Sequence, residues 1–237
     1  MISIIIPVYN QADKITKTLE SINKQVYRDF EVIIVNDGST DGVENICASY
    51  LKKISEDPNI NNSYLFLNQE NKGAPAARNR GRAEAKGQYL FFCDADAVLK
   101  ETALNDLLTA LSDNQEASYA YSSFEWGRKL FKLSPFNAER LRREPYIHTM
   151  SLIRAVDYPA QGWDENIKKF QDWDLWLTML EAGKVGVFVD KVLFKVSPGG
   201  TISSWLPSFA YKLLPFLPAV KKYQRALAII KEKHGLK

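Results

Sequence analysis

Residues 31–42 read EVIIVNDGSTDG. Val32 to Val35 are β-branched at every position, which favours a pleated backbone over a helix. The run is apolar without alternation, so both faces of such a strand need cover. Asn36, Asp37 and Gly38 then stop it with turn residues. Strands buried on both faces belong to parallel sheets with helices packed above and below.

The flanking sequence repeats this unit. Upstream, SIIIPVY (3–9) is another such strand, followed by Ile15, Leu19 and Ile22 at i, i+4 and i+7, a helical stripe. Downstream, Val43, Ile46, Tyr50, Leu51 and Ile54 mark an amphipathic helix, and YLFL (64–67) marks a strand. APAARNRGRAEAKG (74–87) reads as a helix closed by Gly87, and QYLFFC (88–93) as a fourth strand. The alternation predicts right-handed crossovers and a Rossmann-like α/β fold, a mostly parallel sheet with helices on both faces. Later residues are less regular. Strands are predicted at 117–122, 150–154 and 184–190, and a helix at 173–183. Residues 124–147 read as a basic loop carrying Arg128, Lys129, Lys132, Arg140, Arg142 and Arg143.

In open parallel sheets the ligand lies beyond the carboxyl ends of the strands. Pro7, Tyr9 and Asn10 end the first strand, Asn36, Asp37 and Gly38 the second, and Asp94 and Asp96 the fourth. Residues i and i+2 of an extended chain point to one side, so the two aspartates can converge on one cation. Polar residues at three strand ends predict a site.

The 237 residues suffice for one large domain, and 46% hydrophobic with 25% charged residues is ordinary globular usage. From Trp205 onward seven basic residues face Glu232 alone, a balance of +6. The chain as a whole carries +3, so the body before the tail is net acidic. That pattern argues against a nucleic-acid binder, whose basic stripe lies on the folded body. The expected division is a domain over 1–204 and a basic amphipathic tail over 205–237. Val220, Tyr223, Leu227 and Ile230 give the tail a helical stripe, which fits both a helix folded back over the sheet and a membrane-surface helix. Cys47 and Cys93 lie in apolar segments and read as buried thiols. The N-terminus lacks the basic region of a secretory signal, and no apolar run approaches the ~20 residues of a membrane span. The expected location is cytoplasmic, with the inner face of the plasma membrane as an alternative.

IIIPVYN, VIIVNDGSTD, NKGAPAARNRG, GQYLFFCDADAVL and FQDWDLWL, in this order over residues 1 to 190, resemble the successive signatures of the family 2 (GT-A fold) inverting glycosyltransferases. The resemblance implies transfer of a sugar from a nucleotide-diphosphate donor, UDP-linked, to an acceptor hydroxyl. Its setting would be cell-surface polysaccharide or glycolipid synthesis, with a glycan or lipid-linked acceptor. It implies that Asp94 and Asp96 form a D-x-D motif holding Mn²⁺ or Mg²⁺ on the donor diphosphate. Pro7, Tyr9, Asp37, Arg78 and Asp94 would bind the nucleotide, with Asp37 accepting from the base. Asp172 would be the general base. It lies early in a helix, and helix capping explains an aspartate there as well. The chain departs from the family pattern at Asn36, where Asp is usual, and at Gln171, where Glu is usual. It departs again at Ser197, where many relatives carry a metal-binding histidine. His148 reads as a core or pocket hydrogen-bonder rather than a ligand. Two other readings stand beside this one: a non-catalytic nucleotide-sugar-binding protein of the same fold, and a phosphatase using DADAV as a D-x-D-x-[T/V] nucleophile motif.

Overall fold

The computed structural model of the chain describes residues 1–58, 60–198 and 216–236. Its first part follows the expected alternation: β1 (Ile2–Val8), α1 (Ile15–Asn23), β2 (Phe30–Asp37), α2 (Val43–Ser55), β3 (Ser63–Gln69), α3 (Ala74–Glu84) and β4 (Tyr89–Phe92). The remainder holds β5 (Ala97–Leu99), α4 (Ala103–Asp113), β6 (Ala117–Trp126), β7 (Lys129–Phe131), α5 (Ala138–Arg143), β8 (Leu152–Arg154), α6 (Gln171–Glu181), β9 (Val185–Val196) and α7 (Pro218–Lys233). Among the described residues nine strands form one sheet in the order β3-β2-β1-β4-β8-β6-β9-β5, with β7 on β6.

The first four strands are parallel. Along β1, Ile2, Ile4, Ile6 and Val8 pack with Ile15, Leu19 and Ile22 of α1 and Leu104, Leu107 and Leu111 of α4. Ile5 points the other way, into a cluster with Ala77 of α3, Trp173 and Trp176 of α6 and Ile230 of α7. That is the two-residue period of a strand covered on both sides. Helix α3 approaches closely because Gly81 has no side chain; a Cβ there would lie 2.5 Å from Ile5 Cγ2.

Beyond β4 the sheet changes direction. β8 is antiparallel to β4 and β6, β9 runs parallel to β6, and β5 is antiparallel to β9. The basic stretch 124–147 is more ordered than expected. Its first residues extend β6 into a hairpin with β7, in which Phe124 pairs with Phe131, and its later ones form α5, capped by Asn137 accepting from the Arg140 amide. These elements are three and six residues long, too short to show a period among their lysines and arginines. Helix α3 ends at Glu84, before the expected Gly87. Both cysteines are buried and free.

Helix α7 takes the folded-back arrangement, with Val220 and Ile230 buried. Residues Trp205 to Pro215 and the boundary expected at 204/205 lie outside the described residues. Among the described residues no helix is long and apolar enough to cross a membrane.

Candidate active site

The carboxyl ends of β1, β2 and β4 open on one edge, and their loops are tied together. Asn10 Oδ1 accepts from the Thr40 amide at 2.8 Å, and the Asn10 amide donates to Ser39 Oγ at 3.0 Å. Gly38 turns the chain with φ 70°, and a Cβ there would meet the Asn71 amide nitrogen at 2.8 Å. Pro7 is half-buried in β1, while Tyr9, just past its end, is 49% exposed. Asn36 bridges strands through its side-chain amide, donating to Asn68 Oδ1 at 2.9 Å.

Asp37 is buried and already engaged. It accepts from Gln69 Nε2 and the Lys72 amide at 2.8 Å each, and from the Gly73 amide at 2.9 Å. A carboxylate offers about four lone-pair directions, so one acceptor position remains for a ligand. The side chain also shapes the loop that starts α3.

Asp94 and Asp96 occupy the turn between β4 and β5, held from below by Thr18 Oγ1 donating to the Ala95 carbonyl at 2.8 Å. Pairing of β5 with β9 brings the Ser197 amide to 3.0 Å from the Asp96 carbonyl, where it donates. Arg78, one turn before Gly81 on α3, puts Nη2 at 3.3 Å from Asp94 Oδ1 and Nη1 at 3.1 Å from Gln171 Oε1. Its guanidinium lies 4.7 Å over the Trp163 ring. On the other side of Asp94, His148 Nε2 stands 3.8 Å from Oδ2. Burial, with the adjacent charge of Asp94, pushes the Asp96 carboxyl up to about 6.

That raised carboxyl is a test of the donor set. A carboxylate raised by burial and by the charge of a neighbouring carboxylate fits a hard divalent cation, which takes one or two carboxylates together with phosphate oxygens and water. Among the described residues no group of three His, Cys, Asp or Glu could hold a metal, and the two aspartates are the carboxylates they would offer.

Helix α6 brings its own polar residues. Phe170 precedes it with φ 62°, the left-handed region, a strain worth roughly 1–3 kcal/mol in a non-glycine residue. Packing holds it, with the Trp173 ring at 5.9 Å and Tyr223 of α7 at 5.2 Å. Asp172 and Asp174, alike in sequence, then diverge. Asp172 Oδ1 accepts from the Trp173 amide at 2.9 Å. Burial raises its carboxyl above the usual range, against the pull of His148 and Arg78. Asp174 faces α7, where Lys233 Nζ and His234 Nε2 reach its Oδ1 at 2.8 and 2.9 Å. Phe170 is the N-cap residue, so neither aspartate caps from that position.

The structure therefore brings Arg78, Asp94, Asp96 and Asp172 into one neighbourhood and sets Asp37 at the adjacent strand end. It adds Trp163, Gln171 and His148. Gln171 stands in the sequence only as a departure from the family pattern, and the contact of Trp163 with Arg78 spans 85 positions and leaves no local pattern.

Three comparisons bear on this arrangement. The sequence model of Glycosyl transferase family 2 matches residues 3–158. The chain is similar to an uncharacterized glycosyltransferase of Rickettsia typhi, 30% identical over 212 residues, covering 82% of this chain and 63% of that protein. It is also similar to the glycosyltransferase GlyG of Streptococcus pneumoniae, 37% identical over 45% of this chain and 34% of the other. The chain thus spans less than two thirds of the length of either relative. The fold resembles that of S. aureus TarS in complex with UDP, with TM-score 0.69 and 21% identity over 83% of this chain and 60% of TarS. It also resembles the mannosyltransferase PcManGT of Pyrobaculum calidifontis in complex with GDP-Man and Mn²⁺, with TM-score 0.68 and 18% identity over 97% and 69% of the two chains.

Proposed function

The chain belongs to Glycosyl transferase family 2, and from that premise we propose that it moves one sugar from a UDP-linked donor to an acceptor hydroxyl with inversion. The observation that carries the proposal is the pair Asp94–Asp96 at the strand ends, with Asp172 and Arg78 contributed from two helices beside it. Asp94 and Asp96 would hold Mg²⁺ or Mn²⁺, which when bound neutralises charge on the departing diphosphate. Pro7, Tyr9 and Asp37 lie where a nucleotide base would enter, and Arg78 faces the diphosphate position.

In this reading Asp172 takes the proton of the acceptor hydroxyl as its oxygen attacks the anomeric carbon. The bond from that carbon to the diphosphate breaks, and the electron pair leaves with the nucleotide. The acceptor belongs to cell-surface glycans or lipid-linked glycans, with contact to the inner membrane face through the tail. Supporting that contact, Lys221, Lys222, Arg225 and Ile229 are exposed on α7, and Phe216 is exposed just before it. Co-sedimentation with anionic vesicles at low and high salt checks it.

The direct test is a thermal-shift panel of UDP, UDP-sugars and GDP-mannose with and without Mn²⁺, followed by acceptor-dependent nucleotide release. Binding to the native state raises stability as RT ln(1 + [L]/Kd). One donor should stabilise strongly and release its nucleotide. Binding without release favours the non-catalytic reading, while cleavage of simple phosphate esters without a nucleotide favours the phosphatase.

A further inference from the structure

His148 has no part in that scheme, yet its ring lies against it. It is 9% exposed, with its centroid 4.6 Å from that of Phe124 and 5.2 Å from that of Phe194. Its Nδ1 accepts the Met150 amide hydrogen at 3.1 Å, and its carbonyl accepts from Ser151 Oγ at 2.8 Å. Ring and backbone are therefore both fixed. An imidazole nitrogen that accepts an N–H carries the lone pair, so in the neutral ring the proton sits on Nε2. The Met150 amide uses Nδ1 as an acceptor, which only the neutral ring offers.

This tautomer rules His148 out as the missing metal ligand. A ligating histidine donates its other ring nitrogen to a carboxylate, carbonyl or water. Here the other nitrogen faces a backbone donor, so Nε2 has a hydrogen to give and no lone pair. What it faces is Asp94 Oδ2 at 3.8 Å, while Arg78 approaches Oδ1 at 3.3 Å. The Asp94 carboxylate is bracketed, one donor to each oxygen. At 3.8 Å the histidine contact is longer than a hydrogen bond, and it closes with a small rotation of the carboxylate or through one water.

We infer that His148 is a positioning residue for Asp94: its Nε2–H fixes the plane of that carboxylate, and so the direction in which the oxygens meet a cation and the donor diphosphate. The inference rests on the glycosyltransferase reading of the site. It also gives Phe124 and Phe194 a purpose, since these two rings, stacked on one another with Phe131 behind Phe124, pack against the imidazole.

The test uses the full chain, UDP and Mn²⁺. His148→Phe fills the same aromatic space without the donor, and His148→Gln restores an N–H at similar reach. Loss of partners behind metal-site ligands costs on the order of 10–100-fold in affinity. His148→Phe should lose that much UDP affinity with Mn²⁺ present and little without it, with His148→Gln recovering part of the loss. Imidazole ¹⁵N shifts of the wild-type protein should show the Nε2–H tautomer. The inference is overturned by an Nδ1–H tautomer, by His148→Phe binding like wild type, or by equal losses in the two variants. Wild-type protein whose UDP affinity ignores Mn²⁺ overturns the reading of the whole site, and this inference with it.

Discussion

The two sides of the sheet hold their polar residues by different means. On the side of β1 to β4, a ladder runs from Ile2 opposite Phe30 to Val8 opposite Asn36, and backbone amides orient Asp37. Around β8 the ladders are short, with three residue pairs to β4 and two to β6, although β6 itself pairs with β9 over nine residues. There side chains hold the backbone. The Trp173 and Trp176 indoles donate to the Leu141 and Ile147 carbonyls at 2.6 and 3.0 Å, and the Arg154 guanidinium donates to the Ala117 and Leu111 carbonyls. Where ladders set the geometry, one substitution changes one ligand contact. Where single side chains set it, one substitution shifts a segment.

The sharpest probe of that contrast is Asp172→Asn. Asparagine still accepts the Trp173 amide and suits a first helical turn, so stability and UDP affinity should hold. Turnover should fall ~10²–10⁴-fold, the usual worth of a general base. Wild-type turnover in this variant would leave Asp172 a structural residue. Because Asp172 works deprotonated and its carboxyl is raised, wild-type turnover should climb as pH rises through that value, a limb absent from the variant.

Asp96→Asn probes the ladder side. Calorimetry with UDP should show a loss on the order of 10–100-fold with Mn²⁺ present, by analogy with other metal-site substitutions, and little change without it. Equal weakening in both conditions would remove the metal from the account.

Trp176→Phe probes the other side. It deletes the hydrogen bond to Ile147 and reduces the stack on Tyr119, whose centroid lies 4.5 Å away. Roughly 1–3 kcal/mol of stability should go, because the Ile147 carbonyl is left buried without that donor. Urea unfolding measures it, and metal-dependent UDP affinity should fall in parallel if the Ile147–His148 segment shifts.

How much of this was legible follows the same division. VIIVND and FFCDAD announced their strands and strand ends because a continuous β-branched or aromatic run stopped by Asp needs no distant partner. That reading puts Asp37 at the end of β2 and Asp94 and Asp96 just past β4, where they stand. That Asp172 and Asp174 point apart follows from helix geometry, in which residues two apart do not share a face. Which of them meets the site was not legible, since it depends on how α6 packs, with Phe170 against Trp173 and Tyr223. Nor was His148 legible beyond a pocket hydrogen-bonder, because its tautomer depends on the Met150 amide and its meaning on Asp94, 54 positions away.

The smallest expected effect lies at the clamp on α7. His234 donates from both ring nitrogens only when protonated, Nδ1 to Glu181 Oε1 at 2.7 Å and Nε2 to Asp174 Oδ1 at 2.9 Å. Burial alone would lower it, but the two carboxylates win and its pKa is raised. A raised folded pKa means the contribution is full below the unfolded value of about 6.5 and is lost as pH rises through the folded one. His234→Ala should therefore cost about 1–2 kcal/mol at pH 6 and less at pH 9. A pH-independent cost, read from thermal melts, would show that packing alone holds the helix.

Helix α3 has a consequence for inheritance. Asn79 grips the loop before α6 with both ends of its amide, Nδ2 donating to the Trp163 carbonyl and Oδ1 accepting the Trp163 amide, each at 2.8 Å. Its neighbour Arg78 rests on that tryptophan and reaches Asp94. Gly81 sets how near the helix stands to Ile5. Aspartate at 79 has no N–H to give, glutamine is a methylene too long, and any side chain at 81 lifts the rod that carries the other two. Drift at one of these positions spoils the other two, so single steps away from the trio meet a barrier that paired changes do not easily cross. A helix with little apolar surface of its own thus carries three linked contacts, each of which a single substitution would disturb.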